Sequence, residues 1–241
     1  MKFVNSYEDV RRAEAYGILQ FPGTYHLAYR DLPALIAAHA NGKTALDFGC
    51  GTGRSTRFLK DLGFEVTGVD IAREMIEKAR DLDPGGDYRL LNSPVLADLE
   101  AHSYDLILVV FTFDNIPSRR VKLAILQALG ARLRPGGRVI AVVSRPEIYL
   151  HEWASFSTRD FPENRGARSG DRVRIVITDG EDDRPVEDVL TRDRVYRRLF
   201  RDASLEMVCR HLPLGTNEDP VAWVNETNIP PWCVYILKKQ V

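Results

Sequence analysis

The amino-acid sequence predicts a doubly wound α/β sheet, and three observations carry that expectation. Short apolar runs alternate with amphipathic segments from residue 44 to residue 143. One of those runs, YDLILVVF at 104–111, is apolar almost throughout, as a parallel strand covered on both faces must be. The first run ends in the glycine loop GCGTG, with Gly49, Gly51 and Gly53 at the place where a strand turns into a helix.

TALDF (44–48) reads as the first strand, STRFLKDLG (55–63) as a helix stopped by a glycine, and FEVTGVD (64–70) as the second strand. AREMIEKARD (72–81) carries the i, i+4 charges of a surface helix, and DYRLL (87–91) and YDLILVVF supply strands three and four. SRRVKLAILQALGARL (118–133) is a long helix, PGG (135–137) a turn, and RVIAVVS (138–144) a fifth strand. The stretch 145–190 breaks the pattern: it is rich in Arg, Asp, Glu, Pro and Gly, and RVRIVIT (172–178) and PVEDVLT (185–191) suit a hairpin inserted after strand five. A helix at 192–203 and strands at 205–212 and 232–239 complete the chain.

Composition excludes several function classes. With 241 residues, 44% hydrophobic and 28% charged, the chain can bury a large core. A net charge of -1 without long like-charge blocks argues against a nucleic-acid partner. No apolar run approaches a membrane span and the amino-terminal segment has no apolar core, so a cytoplasmic protein is expected. Cys50, Cys209 and Cys233 lack metal-ligand spacing, and reduced thiols with no metal are expected.

In an open α/β sheet a ligand sits beyond the carboxyl ends of the strands, and glycines let it approach the backbone. A dinucleotide fingerprint needs a small residue three positions after its second glycine, where Arg54 stands. No GxxxxGK(S/T) loop is present. Asp47, Gly49, Gly51 and Gly53, followed by Asp70 at the end of the second strand, resemble motif I and the following acidic position of class I S-adenosylmethionine-dependent methyltransferases. YDLILVVF and LRPGGRVIAVV (133–143) are similar to that family's later motifs, and the likeness covers residues 40–144 in order.

The resemblance implies a seven-stranded, mostly parallel sheet with an antiparallel last strand. It also implies S-adenosylmethionine as cofactor, S-adenosylhomocysteine as product, and a domain at 41–241 behind an amino-terminal helical cap at 1–40. Asp70 would accept from the ribose hydroxyls, with Ile71 and Met75 packed on the adenine, although Met75 suits a core equally well. Asn92 and Ser93 fall at the adenine-edge position. Cys50 lies within the loop, and Asp47 serves either as a turn cap or beside a cationic ligand. Tyr16, Tyr25 and Arg30 precede motif I, where the family closes over the methionine moiety; Arg30 suits its carboxylate or a helix surface. Phe111 follows the fourth strand at the methionyl end.

For the acceptor, Phe113, Asn115 and Trp223 are candidate wall residues, and 145–190 a candidate wall segment. Tyr149 and His151, after the fifth strand, are candidate bases, each also compatible with a structural role. The expected partner is a small-molecule methyl acceptor with an O-, N- or C-nucleophile, with no nucleic acid and no membrane, for a monomer or homodimer. The alternatives are a noncatalytic S-adenosylmethionine-binding module, a non-methylating enzyme on the same fold, and an NAD-dependent reductase.

Overall fold

The computed structural model describes residues 23–93, 96, 99–179 and 184–240. Seven strands form the central sheet: β1 (Thr44–Phe48), β2 (Glu65–Asp70), β3 (Asp87–Leu90), β4 (Tyr104–Val110), β5 (Leu133–Ser144), β9 (Leu205–His211) and β10 (Trp232–Lys239). Their order is β3-β2-β1-β4-β5-β10-β9, with β10 antiparallel to both neighbours and the β3-to-β5 side parallel. Between β1 and β4 the chain reverses its direction of progress across the sheet, and that reversal opens a crevice at the strands' carboxyl ends.

Side-chain alternation splits the core into two layers. On β4, Ile107 and Val109 face one layer while Leu106, Leu108 and Val110 face the other. The same division runs through β5, with Val139, Ala141 and Val143 opposed to Ile140 and Val142. The first layer packs under α5 (Arg119–Arg132) and α6 (Asp193–Asp202) through Ile125, Leu126, Leu129, Tyr196 and Phe200. The second packs under α2 (Leu32–His39) and α3 (Arg54–Asp61) through Leu32, Ile36 and Leu59. Each fully buried aliphatic side chain contributes about 1.5–3 kcal/mol, so a strand apolar on both faces fixes the centre of the sheet. Helix α4 (Arg73–Leu82) adds Ile76 and Ala79, which pack on Cys50 and Tyr88.

Two local details differ from the sequence reading. PGG, read as a turn between helix and strand, lies inside β5, which begins at Leu133 directly after α5 and whose partners on β4 jump from Tyr104↔Leu133 to Leu106↔Arg138. Residues 134–137 therefore bulge from the ladder, with Gly136 at φ +82°. The insertion is more than a hairpin. β7 (Arg172–Ile177) and β8 (Val186–Val189) pair antiparallel, and β6 (Phe156–Ser157) joins them as a third strand.

Of the 1–40 segment, residues 23–40 are described. A 3-10 turn at Gly23–Tyr25 leads into α1 (His26–Tyr29) and then α2. Tyr16 lies outside the described residues. The buried carboxylate of Glu226 ties this region to two others, accepting from Thr24 Oγ1 (2.6 Å), Ala154 N (2.8 Å), Val224 N (2.9 Å) and Asn225 N (3.0 Å).

Candidate functional site

A cavity of about 380 Å³ occupies the crevice, and the glycine loop forms one wall. The loop is held from below by β2. Gly49 N and Cys50 N both donate to Val69 O, at 2.8 and 3.0 Å, and Gly51 N donates to Asp70 Oδ2 at 2.9 Å. Ala72 N donates to Asp70 Oδ1 at 2.9 Å, so one carboxylate anchors the loop and the start of α4 together. Asp70 still lines the cavity. Burial raises its pKa, and the amide donors of Ala72, Gly51 and Ile71 oppose that rise.

Gly49 must be glycine on two grounds. Its φ is +74°, and a Cβ there would lie 2.2 Å from Thr112 Oγ1, which itself donates to Phe48 O at 3.1 Å. Beneath the loop Asp47 is fully buried, and its Oδ2 accepts from Ser55 Oγ (2.6 Å) and Thr56 Oγ1 (2.7 Å). Its Oδ1 has no hydrogen-bond partner among the described residues. Burial pushes Asp47 up to about 6 against those two hydroxyl donors. An unmatched buried carboxylate oxygen costs free energy unless a donor or a proton reaches it.

Phe111 forms the partition at the far side. It adopts φ +60° and ψ -8°, a left-handed conformation that costs a bulky residue about 1–2 kcal/mol. Phe111 and Asn115 line both the main cavity and a second, smaller one of about 40 Å³. The second cavity lies between the carboxyl end of the sheet and the insertion, with Phe156, Ile175, Val186 and Asp188 coming from β6, β7 and β8. Around it stands a buried polar network. Tyr149 OH donates to Asp188 Oδ2 (2.9 Å), Ser144 N to Asp114 Oδ2 (2.8 Å), Tyr196 OH to Asp114 Oδ1 (3.4 Å), and Lys122 Nζ to Thr191 Oγ1 (2.6 Å). Burial and the neighbouring Asp114 push Asp188 up to about 7, while burial lowers Lys122 to about 8.

The family model described as "Methyltransferase domain" matches residues 23–176, which is well over half of the chain. The chain belongs to the methyltransferase-domain family. Among curated relatives, a ubiquinone biosynthesis O-methyltransferase of Nitrosococcus oceani is 35% identical over 185 residues, covering 73% of this chain and 65% of its own length. One of the same name from Idiomarina loihiensis is 33% identical over 102 residues, 41% of each protein. The chain thus spans less than two thirds of the length of these relatives.

Solved S-adenosylmethionine-dependent methyltransferases share the fold. One from Clostridium acetobutylicum superposes with a TM-score of 0.64 at 14% identity, covering 98% of this chain and 96% of the other. One from Methanosarcina mazei gives 0.62 at 18% identity over 86% and 97%. The seven-stranded sheet with its antiparallel β10 is the class I methyltransferase fold.

In this methyltransferase domain the cavity gathers Gly49, Cys50, Gly51, Asp70, Ile71, Met75, Phe111 and Asn115 from the residues singled out in the sequence. Others stand elsewhere. Gly53 caps the start of α3, and Asp47 lies below the loop. Asn92 and Ser93 do not line the cavity, whereas Leu91 beside them does. Arg30 is engaged by Asp31 (2.7 Å) and Asp219 (3.0 Å), and Trp223 donates to Thr216 O (3.0 Å); neither lines either cavity. Phe113 is buried in the core against Tyr196.

Tyr25 and Tyr149 line the second cavity, while His151 lines neither and stands edge-on to Trp153 at 6.1 Å. Burial raises the pKa values of Tyr149 and Cys50 well above their ordinary ranges. Tyr149 is therefore a neutral phenol donating to Asp188, not an anion ready to take a proton. Cys50 is a thiol and no nucleophile.

Sequence reasoning missed Tyr29, Leu91 and Thr112 in the main cavity and Asp114, Ser144, Asp188 and Trp232 in the second. For Asp114 a signal existed, since it sits one residue from Phe113 in the segment already singled out after β4. For Asp188 none did, because its run PVEDVLT reads as an ordinary half-exposed strand.

Proposed function

We propose that this chain transfers the methyl group of S-adenosylmethionine to a small-molecule nucleophile held beside Phe111. The observation that carries the reading is the Asp70 carboxylate, fixed by two backbone amides at the crevice, with lone pairs left for a pair of vicinal hydroxyls. The other cavity residues suit the cofactor as well. Ile71, Met75 and Leu91 give an apolar slot for a purine, and Gly49 and Gly51 let a ligand approach the loop backbone closely.

When bound, the cofactor supplies an activated methyl on sulfur, and the chemistry is an in-line displacement. The chain's own contribution is placement and dryness. Asp70 and the loop fix one end of the ligand, Phe111 and Asn115 form the wall facing the acceptor, and the apolar rim excludes water. Placement can supply roughly 7–11 kcal/mol of a barrier and a base a factor of about 10²–10⁴, so alignment is the larger share. The smallness of the second cavity supports a small acceptor, or one small reacting group of a larger one.

Calorimetric titration with S-adenosylmethionine, and with NAD in parallel, tests the reading. Binding of S-adenosylmethionine alone is expected, weakened about tenfold or more in Asp70→Asn and further in Asp70→Ala. Binding of NAD alone would replace methyl transfer with redox chemistry.

A further inference from the structure

We propose that the small cavity behind Phe111 binds a protonated aliphatic amine, and that this amine is the methyl acceptor. The assignment rests on the methyltransferase reading and adds the substrate class. Two independent features of the cavity point to a cation.

The first is an aromatic enclosure. Tyr25, Phe111, Phe156 and Trp232 all line it and pack on one another, with ring centroids 4.6 Å apart for Phe111 and Trp232, 4.8 Å for Tyr25 and Phe156, and 5.8 Å for Phe156 and Trp232. The rings touch one another, so a ligand lies against them and not between them; aromatic faces carry negative quadrupole density, and a desolvated cation held against such a wall is attracted.

The second is uncompensated negative charge. Asp114 and Asp188 both line the cavity and are only 3% and 8% exposed. Asp114 is satisfied on both oxygens, but Asp188 accepts only from Tyr149, and its Oδ1 accepts no hydrogen bond among the described residues. The buried cation nearby, Lys122, donates to Thr191, lies over the Tyr196 ring at 5.7 Å and does not line the cavity. Two largely buried carboxylates therefore stand near a single ammonium that donates to neither of them, and buried negative charge without a counter-charge in contact is costly. An ammonium ligand supplies the missing charge and a donor for Oδ1; a phenol or an alcohol supplies only the donor.

The same oxygen completes the chemistry. The bound ammonium passes one N–H proton to the Asp188 carboxylate, and the freed nitrogen lone pair forms the new N–C bond. The C–S bond breaks with its electron pair going to sulfur. The product leaves as a methylated ammonium, and Asp188 returns its proton to solvent. No further reactant is needed.

The test uses tetramethylammonium, a cation that cannot itself be methylated, and tert-butanol as a neutral molecule of similar shape. Each is titrated by calorimetry into the full chain saturated with S-adenosylhomocysteine. Tetramethylammonium is expected to bind about tenfold or more tightly than tert-butanol, and Asp188→Asn and Phe156→Leu each to remove most of that preference. Equal affinity for the two probes, or a preference unchanged in both variants, overturns the proposal.

A pH series on the unmodified chain covers the case in which a variant does not fold. The groups facing Asp188 are Asp114, Lys122, Tyr149 and Glu187; as pH falls from 8 to 5 Asp188, pushed up to about 7, and Lys122, lowered to about 8, both gain protons, and each change makes the site less negative. Tetramethylammonium binding is expected to weaken over that range while tert-butanol binding stays constant; a flat response for both overturns the proposal. Intact cofactor binding with no cation preference removes the amine assignment alone. Absent cofactor binding removes the methyltransferase reading and this proposal with it.

Discussion

Gly53 and Gly136 have almost the same backbone, with φ at +81° and +82°, yet they sit in very different surroundings. A Cβ on Gly136 would meet nothing within 4 Å, whereas one on Gly53 would lie 2.5–2.8 Å from the end of the buried Tyr88 ring, whose hydroxyl is tied to Asp83. Gly136→Ala is therefore expected to cost only the left-handed conformation, about 1–2 kcal/mol. Gly53→Ala should add overpacking of about 1–3 kcal/mol on top of it. Urea denaturation of the two variants checks the ranking; equal losses would mean that Tyr88 swings aside freely. Both glycines were legible in the sequence as punctuation, but their difference was not. Spacing reveals where the backbone must turn, and only the fold reveals what lies across from the turn. The same limit hid Asp188: a charge in a charged stretch looks solvated until Tyr149, 39 residues earlier in the chain, is placed against it.

At the level of elements, β1 and β4 followed directly from apolar runs because a covered parallel strand has no other composition, whereas β3, DYRL, lies at the edge of the sheet with two of its four residues exposed. β10 spans residues 232–239, as read from WCVYILKK alone. The insertion was harder. Its pairing of β7 with β8 was visible as two strand-like runs, but one of the ties that hold it to the segment after β5 is a side chain inside a 3-10 turn, Pro162–Gly166. Asn164 is 3% exposed, donates through Nδ2 to Tyr149 O (3.1 Å) and Arg174 O (2.8 Å), and accepts from Arg174 N (3.1 Å) through Oδ1. Asn164→Ala leaves buried backbone groups unmatched and is expected to cost about 2–4 kcal/mol. Hydrogen exchange should rise across β7 and β8 and leave β4 and β5 protected. Uniform loss of protection would show instead that the insertion and the sheet unfold as one unit.

Across the whole molecule, the buried carboxylates oppose the exposed ones in their effect on stability. Asp47 titrates at about 6 when folded, against an ordinary 3.8, so the folded chain holds that proton more tightly than the unfolded chain does. Its stabilising share is full below about pH 4 and is lost as pH rises through 6, an amount of up to about 3 kcal/mol. Asp31 acts in the other direction: its hydrogen bond with Arg30 lowers its pKa, so its contribution is present above the ordinary range and is lost as pH falls. Asp47→Asn removes the first contribution. Without cofactor, the variant is expected to gain on the parent chain by up to about 3 kcal/mol between pH 4 and pH 8, as measured by denaturant midpoints. A constant gap would place the proton elsewhere.

Glu226 bears on how such a chain can be altered. One carboxylate holds the turn before α1, the loop after β5 and the segment before β10, three stretches drawn from the beginning, middle and end of the chain. Transplanting residues 145–190 alone into a related domain would part Ala154 N from the Glu226 acceptor that it shares with Thr24 Oγ1. The exchangeable cassette for acceptor choice is thus discontinuous, and recombination by simple crossover between relatives breaks it at either end.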